Sequence, residues 1–459
     1  MNKPQRSPGE SKTMTQPPPT PWRPEQNASS PLTTSGQTSA APSQPSYSRA
    51  SSRMLVPDAA RGLMLWGIAV ANVATAWVLF AGGPASMTGR VVDGSLWDKL
   101  TIMFTTSFVH ARGFPMFSTL LGFGVGLIAA SLYRRGYPLP KARGVIARRY
   151  GMLAIFGAVH MVFLFWGDIM LAYGLIGLFM ACLIAVRTKV LLWVAGTLFA
   201  VTNLVALAGA VLLEAVLGAG QLQELLTGSS VGYLLAVTSY LAVLLNGLVV
   251  LLSSVLSVPL QAFMLLPLML LGFVLAREGV LADPVRHRRT LLWLAGVGVA
   301  AALGTGIPAG LEALGVLNTG IFGVLTMTLG VLGGPGFIAL LALALAGVQE
   351  RVSAGAPVPA PLWPLIALGK RSMTGYVLQS VIFLVVFGSF ALGLFADAGA
   401  FLLLLVGTGG WLVTVLVAVA LEAAGKPGPL EALHRRLSYG KGGLNSVGEP
   451  GRPPVPGSV

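Results

Sequence analysis

The chain has 459 residues, 54% of them hydrophobic and only 10% charged, with a net charge of +14 and a mean hydropathy of +0.78. Soluble domains carry about 25% charged residues, and a water-soluble fold of this size needs a polar skin that this composition cannot supply. A soluble enzyme is therefore excluded, and with no basic patch interleaved with aromatics the positive charge reads as Lys and Arg held in cytoplasmic loops, not as a nucleic-acid surface.

In chain order, residues 1–54 come first. They are rich in Pro, Ser, Thr and Gln and hold no apolar signal-peptide core. A disordered cytoplasmic tail is expected there, because such a segment cannot bury enough surface to offset its chain entropy. Apolar runs of about 20 residues, the length that crosses a bilayer, then follow. The first is Arg61 to Gly82. Trp97 to Val109 is amphipathic and too short to span. Gly113 to Tyr133, Arg149 to Trp166, Ile169 to Val186 and Val190 to Leu213 come next. Val231 to Ser257 is apolar but rich in Ser and Thr, and Leu260 to Ala276 is clearer. Leu291 to Ile307, Ile321 to Ala346, Ser372 to Phe395 and Phe401 to Glu422 complete the set. Residues 442–459 read as a second disordered tail.

Loop charge sets the orientation. The segment up to Arg61 holds seven basic and three acidic residues, and the loop from Arg134 to Arg149 holds six basic and no acidic ones. Both belong in the cytoplasm. The basic loop from Arg277 to Arg289 and the basic segment after Lys426 join them there only if one of the two adjacent apolar runs, Val231–Ser257 and Leu260–Ala276, fails to cross. The expected architecture is thus an all-α, polytopic transmembrane bundle spanning residues 55–441. It has about ten spans and both termini inside, with Val231–Ser257 re-entrant, strongly tilted or lying along the outer side; eleven spans is the alternative. Repeated glycines (Gly122, Gly124 and Gly126, then Gly330, Gly333, Gly334 and Gly336) are expected to let helix backbones approach closely. Gly333 to Gly336 is also a candidate helix break.

Ionisable groups at membrane depth are functional candidates. His160 lies seven residues before Gly167, about 10 Å below the outer end of its helix, and Asp168 follows at the turn. A histidine near a carboxylate suits a general base with its orienting group; the competing reading is a packed histidine, with Asp168 capping the next helix. His110 and Arg112 also fall on the outer side and could complete a cluster of acid, base and cation, although Arg112 equally suits an interfacial anchor. Arg61 and Asn72 share one face of the first span. Arg61, at the cytoplasmic end, suits a positive-inside anchor or a contact to donor phosphates. Asn72 and Gln379 suit interhelical hydrogen bonds. Cys182 stands alone and there are four histidines, so neither a disulfide nor a zinc site is expected. Nucleotide-binding and hydrolase motifs are missing.

Four segments resemble the YeiB-like bacterial membrane proteins, whose carboxy-terminal half is the domain of unknown function 418. Asp58-Ala-Ala-Arg61-Gly62, with Asn72, resembles the family's D-x-x-R-G opening. Phe114 to Gly124 resembles its F-x-x-L-F-S-x-L-F-G-x-G stretch, with Arg112 where Lys is usual. Gly157-Ala-Val-His160, Trp166-Gly167-Asp168-Ile169 and Tyr173 resemble G-L-x-H, W-x-G-D-I-L and its Tyr. Gly369-Lys-Arg371-Ser-Met-Thr-Gly375-Tyr376-Val-Leu-Gln379-Ser380 resembles G-R-x-x-L-T-N-Y-x-x-Q-S, and Gly428-Pro429-Leu430-Glu431 with Ser438-Tyr439-Gly440 resembles its closing motif. Gly375 replaces the usual Asn; Ala432 and His434 replace two Trp residues, a change expected to touch an interfacial anchor more than a site. The family region is expected over about 260–441.

The resemblance implies a fold similar to membrane acyltransferases that take an acyl group from a cytosolic coenzyme A thioester to an extracytoplasmic glycan or lipid. On that basis His160 is the expected general base or transient acyl acceptor, oriented by Asp168. His110 and Arg112 would bind acceptor or stabilise charge, and Arg61 and Arg371 would hold donor phosphates. Asn72, Tyr173 and Gln379 belong to the same set. No bound cofactor is expected, acyl coenzyme A acting as donor substrate. The expected partners are the lipid bilayer and a small-molecule, glycan or lipid substrate, without nucleic acid; a homo-oligomer stays open. The expected location is the bacterial plasma membrane. A transporter or exporter of a small metabolite or lipid is the alternative.

Overall fold

The computed structural model describes residues 54–84, 86, 88–218, 221 and 237–444. Helices carry the described chain, and no strand occurs among the described residues. Among the described residues eight helical stretches are long and apolar enough to cross a membrane, and two shorter apolar helices, Met170–Leu183 and Ser372–Phe387, join them. The fold is an all-α transmembrane bundle. The expected tails fall largely outside the described residues.

The helices are α1 (Leu55–Asn72), α2 (Val78–Phe80), α3 (Leu96–Phe108), α4 (Gly113–Arg134), α5 (Leu139–Phe163), α6 (Met170–Leu183), α7 (Thr188–Leu217), α8 (Tyr240–Arg277), α9 (Arg288–Ala313), α10 (Ile321–Thr328), α11 (Gly333–Ser353), α12 (Trp363–Gly369), α13 (Ser372–Phe387), α14 (Ala400–Ala423) and α15 (Pro429–Tyr439). A π-helical turn, Val73–Trp77, joins α1 to α2, and a 3-10 turn, Gly330–Leu332, joins α10 to α11.

Several boundaries differ from the sequence expectation. From Tyr240 onward the runs 231–257 and 260–276 are one helix: α8 continues through Pro259 and Pro267, while residues 231–236 lie outside the described residues. A membrane helix tolerates such prolines, because each removes one N–H and neighbouring helices satisfy the freed carbonyl. At 1.5 Å per residue α8 is about 57 Å long, well beyond a hydrocarbon core of about 30 Å. Helix α5 begins at Leu139, ten residues before the expected Arg149. Hydropathy detects only the lipid-facing stretch, whereas the charged first turns fold on because Ala142 and Ile146 are buried. The glycine-rich break falls at Gly330–Leu332, just before the expected Gly333 to Gly336. Helix α13 stops at Phe387, and the short α12 and α15 were not anticipated; α15 carries Pro at its first position, a frequent helix start.

The loops gather at two ends. At the basic end Arg277 on α8 donates to the carbonyls of Val186 (2.6 Å) and Ile184 (2.9 Å). At the opposite end the Ala400 amide donates to Arg90 O at 2.9 Å and the Ser389 amide to Phe80 O at 3.1 Å. Glycines bring the helices together in between. A Cβ at Gly122 would overlap the Met269 backbone, and one at Gly272 would overlap Thr119, so α4 and α8 lie backbone to backbone. Carboxylates meet several helix N-termini: buried Asp98 accepts from Phe401 N at 2.8 Å, buried Glu312 from Phe322 N at 2.9 Å and half-buried Glu431 from Met373 N at 2.7 Å. Each satisfies an amide with no partner inside its own helix.

Candidate active site

Helix α5 carries His160 toward the opposite end, the chain turns at Phe165 to Gly167, and α6 starts just after Asp168. The turn folds Asp168 back onto α5 because Gly157 lacks a side chain: a Cβ there would meet Leu171 N and Asp168 Oδ1. Helix α13 supplies Ser380 from across the bundle. His160 Nδ1 lies 2.7 Å from Asp168 Oδ2, and His160 Nε2 lies 2.8 Å from Ser380 Oγ. The other Asp168 oxygen accepts the Leu171 amide at 2.9 Å. Asp168 therefore does both things expected of it, capping α6 with one oxygen and holding the imidazole with the other.

The partners fix the imidazole's proton. A carboxylate accepts, so Nδ1 carries the hydrogen and Nε2 is the acceptor, free to take the Ser380 hydroxyl proton. All three residues are buried. Tyr376, one turn before Ser380, has its ring 5.0 Å from the imidazole. Among the described residues its buried hydroxyl has no hydrogen-bond partner. The Ile169 amide stands beside that hydroxyl without meeting hydrogen-bond geometry. On the far side Phe165 lies edge-on to His160 at 6.4 Å, and Trp77, from the π turn, stacks on Phe165 at 4.5 Å.

A cavity of about 590 Å³ runs from the basic end toward this group. Arg61, Arg135, Arg149, Lys370 and Arg435 line it against two carboxylates, Asp58 and Glu431. Its wall then turns apolar with Leu65, Ile68, Phe117 and Leu120, and ends at Ile169, Met170 and Tyr376, which adjoin Asp168 and Ser380. Glycines shape this wall as well: a Cβ at Gly369 would overlap the Asp58 carbonyl, so α12 sits directly on α1. Helix α15 lines the mouth with Glu431, His434, Arg435 and Tyr439. His434 Nε2 donates to Arg149 O at 2.9 Å, and Arg149 donates to the Tyr439 hydroxyl at 3.0 Å. Burial first, and the Arg149 guanidinium second, push the His434 imidazole down to about 4; its bond to the Arg149 carbonyl pulls the other way. His434 thus holds α15 on α5 inside the cavity wall.

The remaining residues separate into different groups. Arg61 lines the cavity and pairs with Asp58 at 3.3 Å. Arg371 lies outside the cavity lining: it pairs with Glu422 at 2.6 Å and also donates to Lys426 O, while its neighbour Lys370 lines the cavity. Arg112 is fully buried and donates to backbone carbonyls, including Ser107 O at 3.3 Å, Ala302 O at 3.0 Å and Thr326 O at 3.5 Å. It ties α3 and α9 to the break before α11, a cation against peptide carbonyls rather than an interfacial anchor. His110 precedes it with Nε2 unpartnered among the described residues. Among the described residues no hydrogen bond or ion pair links this pair to His160 or Asp168. Tyr173 donates to Phe114 O at 2.7 Å and Gln379 to Leu65 O at 3.3 Å; both tie helices together. Asn72 sits half-buried where α1 meets the π turn. Ser380, Tyr376, Lys370, Arg149 and Arg435 are the residues that sequence reasoning missed as site residues. Ser380 and Tyr376 stand in a quoted motif, but only the tertiary fold brings them to His160, at 2.8 Å for Ser380 Oγ and 5.0 Å for the Tyr376 ring.

Residues 275–441 match the family described as a protein of unknown function (DUF418). No curated protein and no solved structure matches the chain.

Proposed function

Starting from a transmembrane bundle whose carboxy-terminal region is a DUF418 region, we propose that this protein is a multi-pass acyltransferase of the bacterial plasma membrane. It moves an acyl group from a cytosolic, phosphate-bearing thioester such as acyl coenzyme A to an extracytoplasmic glycan or lipid. The supporting observation is the buried Asp168–His160–Ser380 chain at the end of a cavity whose mouth is cationic. Loop charge makes the basic end cytoplasmic, with about ten crossings and both termini inside. Guanidinium and ammonium groups at the mouth suit donor phosphates, the apolar wall suits the acyl arm, and His160 acts as general base. A water-excluding site favours transfer over hydrolysis.

The test compares acylated envelope lipids and glycans by mass spectrometry in cells lacking the protein, complemented with wild type or with His160→Ala. An acylated species restored only by wild type is expected; equal restoration by His160→Ala overturns the role of His160. A transporter is the second reading, favoured by the broken α10–α11 segment and by a cavity open at one end. Uptake of labelled substrate into proteoliposomes without an acyl donor would identify that class.

A further inference from the structure

We propose that Ser380 is the nucleophile of this site and carries the acyl group as a transient serine ester. The inference rests on the acyl-transfer reading above and goes beyond it by making the reaction two-step and covalent.

Three observations carry it. The first is geometry. A carboxylate on Nδ1 at 2.7 Å and a hydroxyl on Nε2 at 2.8 Å is the arrangement that activates a serine: the base takes the hydroxyl proton while the carboxylate holds the tautomer. The alternative acceptor for that hydroxyl, Tyr376 O, is farther away at 3.4 Å, so the shorter bond to His160 governs. The second is the Tyr376 hydroxyl, buried and unpartnered among the described residues, on the helix face that bears Ser380. A buried hydroxyl left unpaired is destabilising, so it is poised to donate. An oxygen anion formed on a carbonyl beside Ser380 would accept from it, which is the role of an oxyanion donor. The third is access. The cavity reaches Tyr376 from the basic end, whereas Phe165 and the stacked Trp77 cover His160 from the opposite side. The donor thus approaches from the basic end, and a covalent intermediate keeps the acyl group on the protein until an acceptor replaces the departed thiol.

The steps balance. Ser380 Oγ attacks the thioester carbonyl and its proton passes to His160 Nε2. The carbon–sulfur bond breaks, the thiolate takes that proton, and the acyl group stays as an ester on Oγ. The acceptor hydroxyl then attacks this ester and gives its proton to His160 Nε2. The carbon–Oγ bond breaks and Ser380 recovers the proton.

The experiment uses the full chain in native membranes, treated with an alkyl fluorophosphonate, which reacts with activated serines independently of the natural donor. Labelled peptides are mapped by mass spectrometry, and each variant's envelope acylation is measured in parallel. Labelling at Ser380 is expected, reduced at least about 100-fold in His160→Ala. Ser380→Ala is expected to lower acylation by a similar factor, and Ser380→Cys to retain acylation through a hydroxylamine-labile thioester. Unchanged acylation in Ser380→Ala, in a variant present at wild-type level in the membrane, overturns the covalent step while leaving acyl transfer by His160 standing. Labelling at Ser380 that does not depend on His160 also overturns it. Envelope acylation unaffected by loss of the whole protein instead defeats the acyl-transfer reading on which the step rests.

Discussion

Replacing Gly157 by Ala tests whether the spacing of α5 and α6 sets the geometry of the His160–Asp168 pair. The added Cβ would lie 2.7 Å from Asp168 Oδ1 and from Leu171 Cα, and nearer still to Leu171 N, where ordinary contacts begin at 3.4 Å. Two of these atoms are backbone, so no side-chain rotation relieves the overlap, and because Leu171 N is the closest of the three, α6 with Asp168 must move by well over about 0.7 Å to reach the ordinary contact distance. A shift of that size along the bond would carry the 2.7 Å contact to His160 past hydrogen-bonding range. Losing a hydrogen bond to a charged group costs about 1.5–3 kcal/mol, or about 10- to 100-fold in transfer rate. Overpacking adds about 1–3 kcal/mol of destabilisation. The assay is acyl transfer by the full chain in proteoliposomes, with Tm in detergent read alongside. Gly151→Ala is the control on the same helix, since nothing lies within 4 Å of a Cβ there. Gly157→Ala with the rate and Tm of that control would refute the spacing as the cause.

Two further outcomes are expected. Arg435→Ala removes one cation from the cavity mouth and should raise KM for a phosphate-bearing thioester about 10-fold with kcat nearly unchanged, the loss shrinking as salt rises; a fall in kcat at constant KM would place the donor elsewhere. The docking of α15 should weaken in acid. His434 is held near 4 in the folded protein against an ordinary 6.5, so its contribution is complete above 6.5 and is lost as pH falls toward 4, a change of about 3 kcal/mol. Hydrogen exchange over 429–439 should rise across that window in wild type and lose this dependence in His434→Gln; the same profile in both would show that His434 does not drive it.

Much of this protein is written in composition and pattern. A chain with so little charge and so many apolar runs has only lipid as a compatible solvent, and in lipid a backbone must satisfy itself within helices. The bundle, the basic end, the packing glycines and the closeness of His160 to Asp168 across an eight-residue separation are all local or additive properties, and so they are legible along one strand of sequence. The tertiary structure decided what depends on other helices. That 240–277 forms one helix follows from packing strong enough to carry two prolines, which a hydropathy window reads as a boundary. Arg112 and Arg371 are ordinary basic residues in sequence; their partners, Ala302 O and Glu422, lie 190 and 51 positions away and turn them into struts instead of ligands. Ser380 is the clearest case, because it reaches His160 over 220 positions. Nothing in the residues around it encodes that contact, which exists only because α13, held by α1 and α14, places Ser380 against the imidazole.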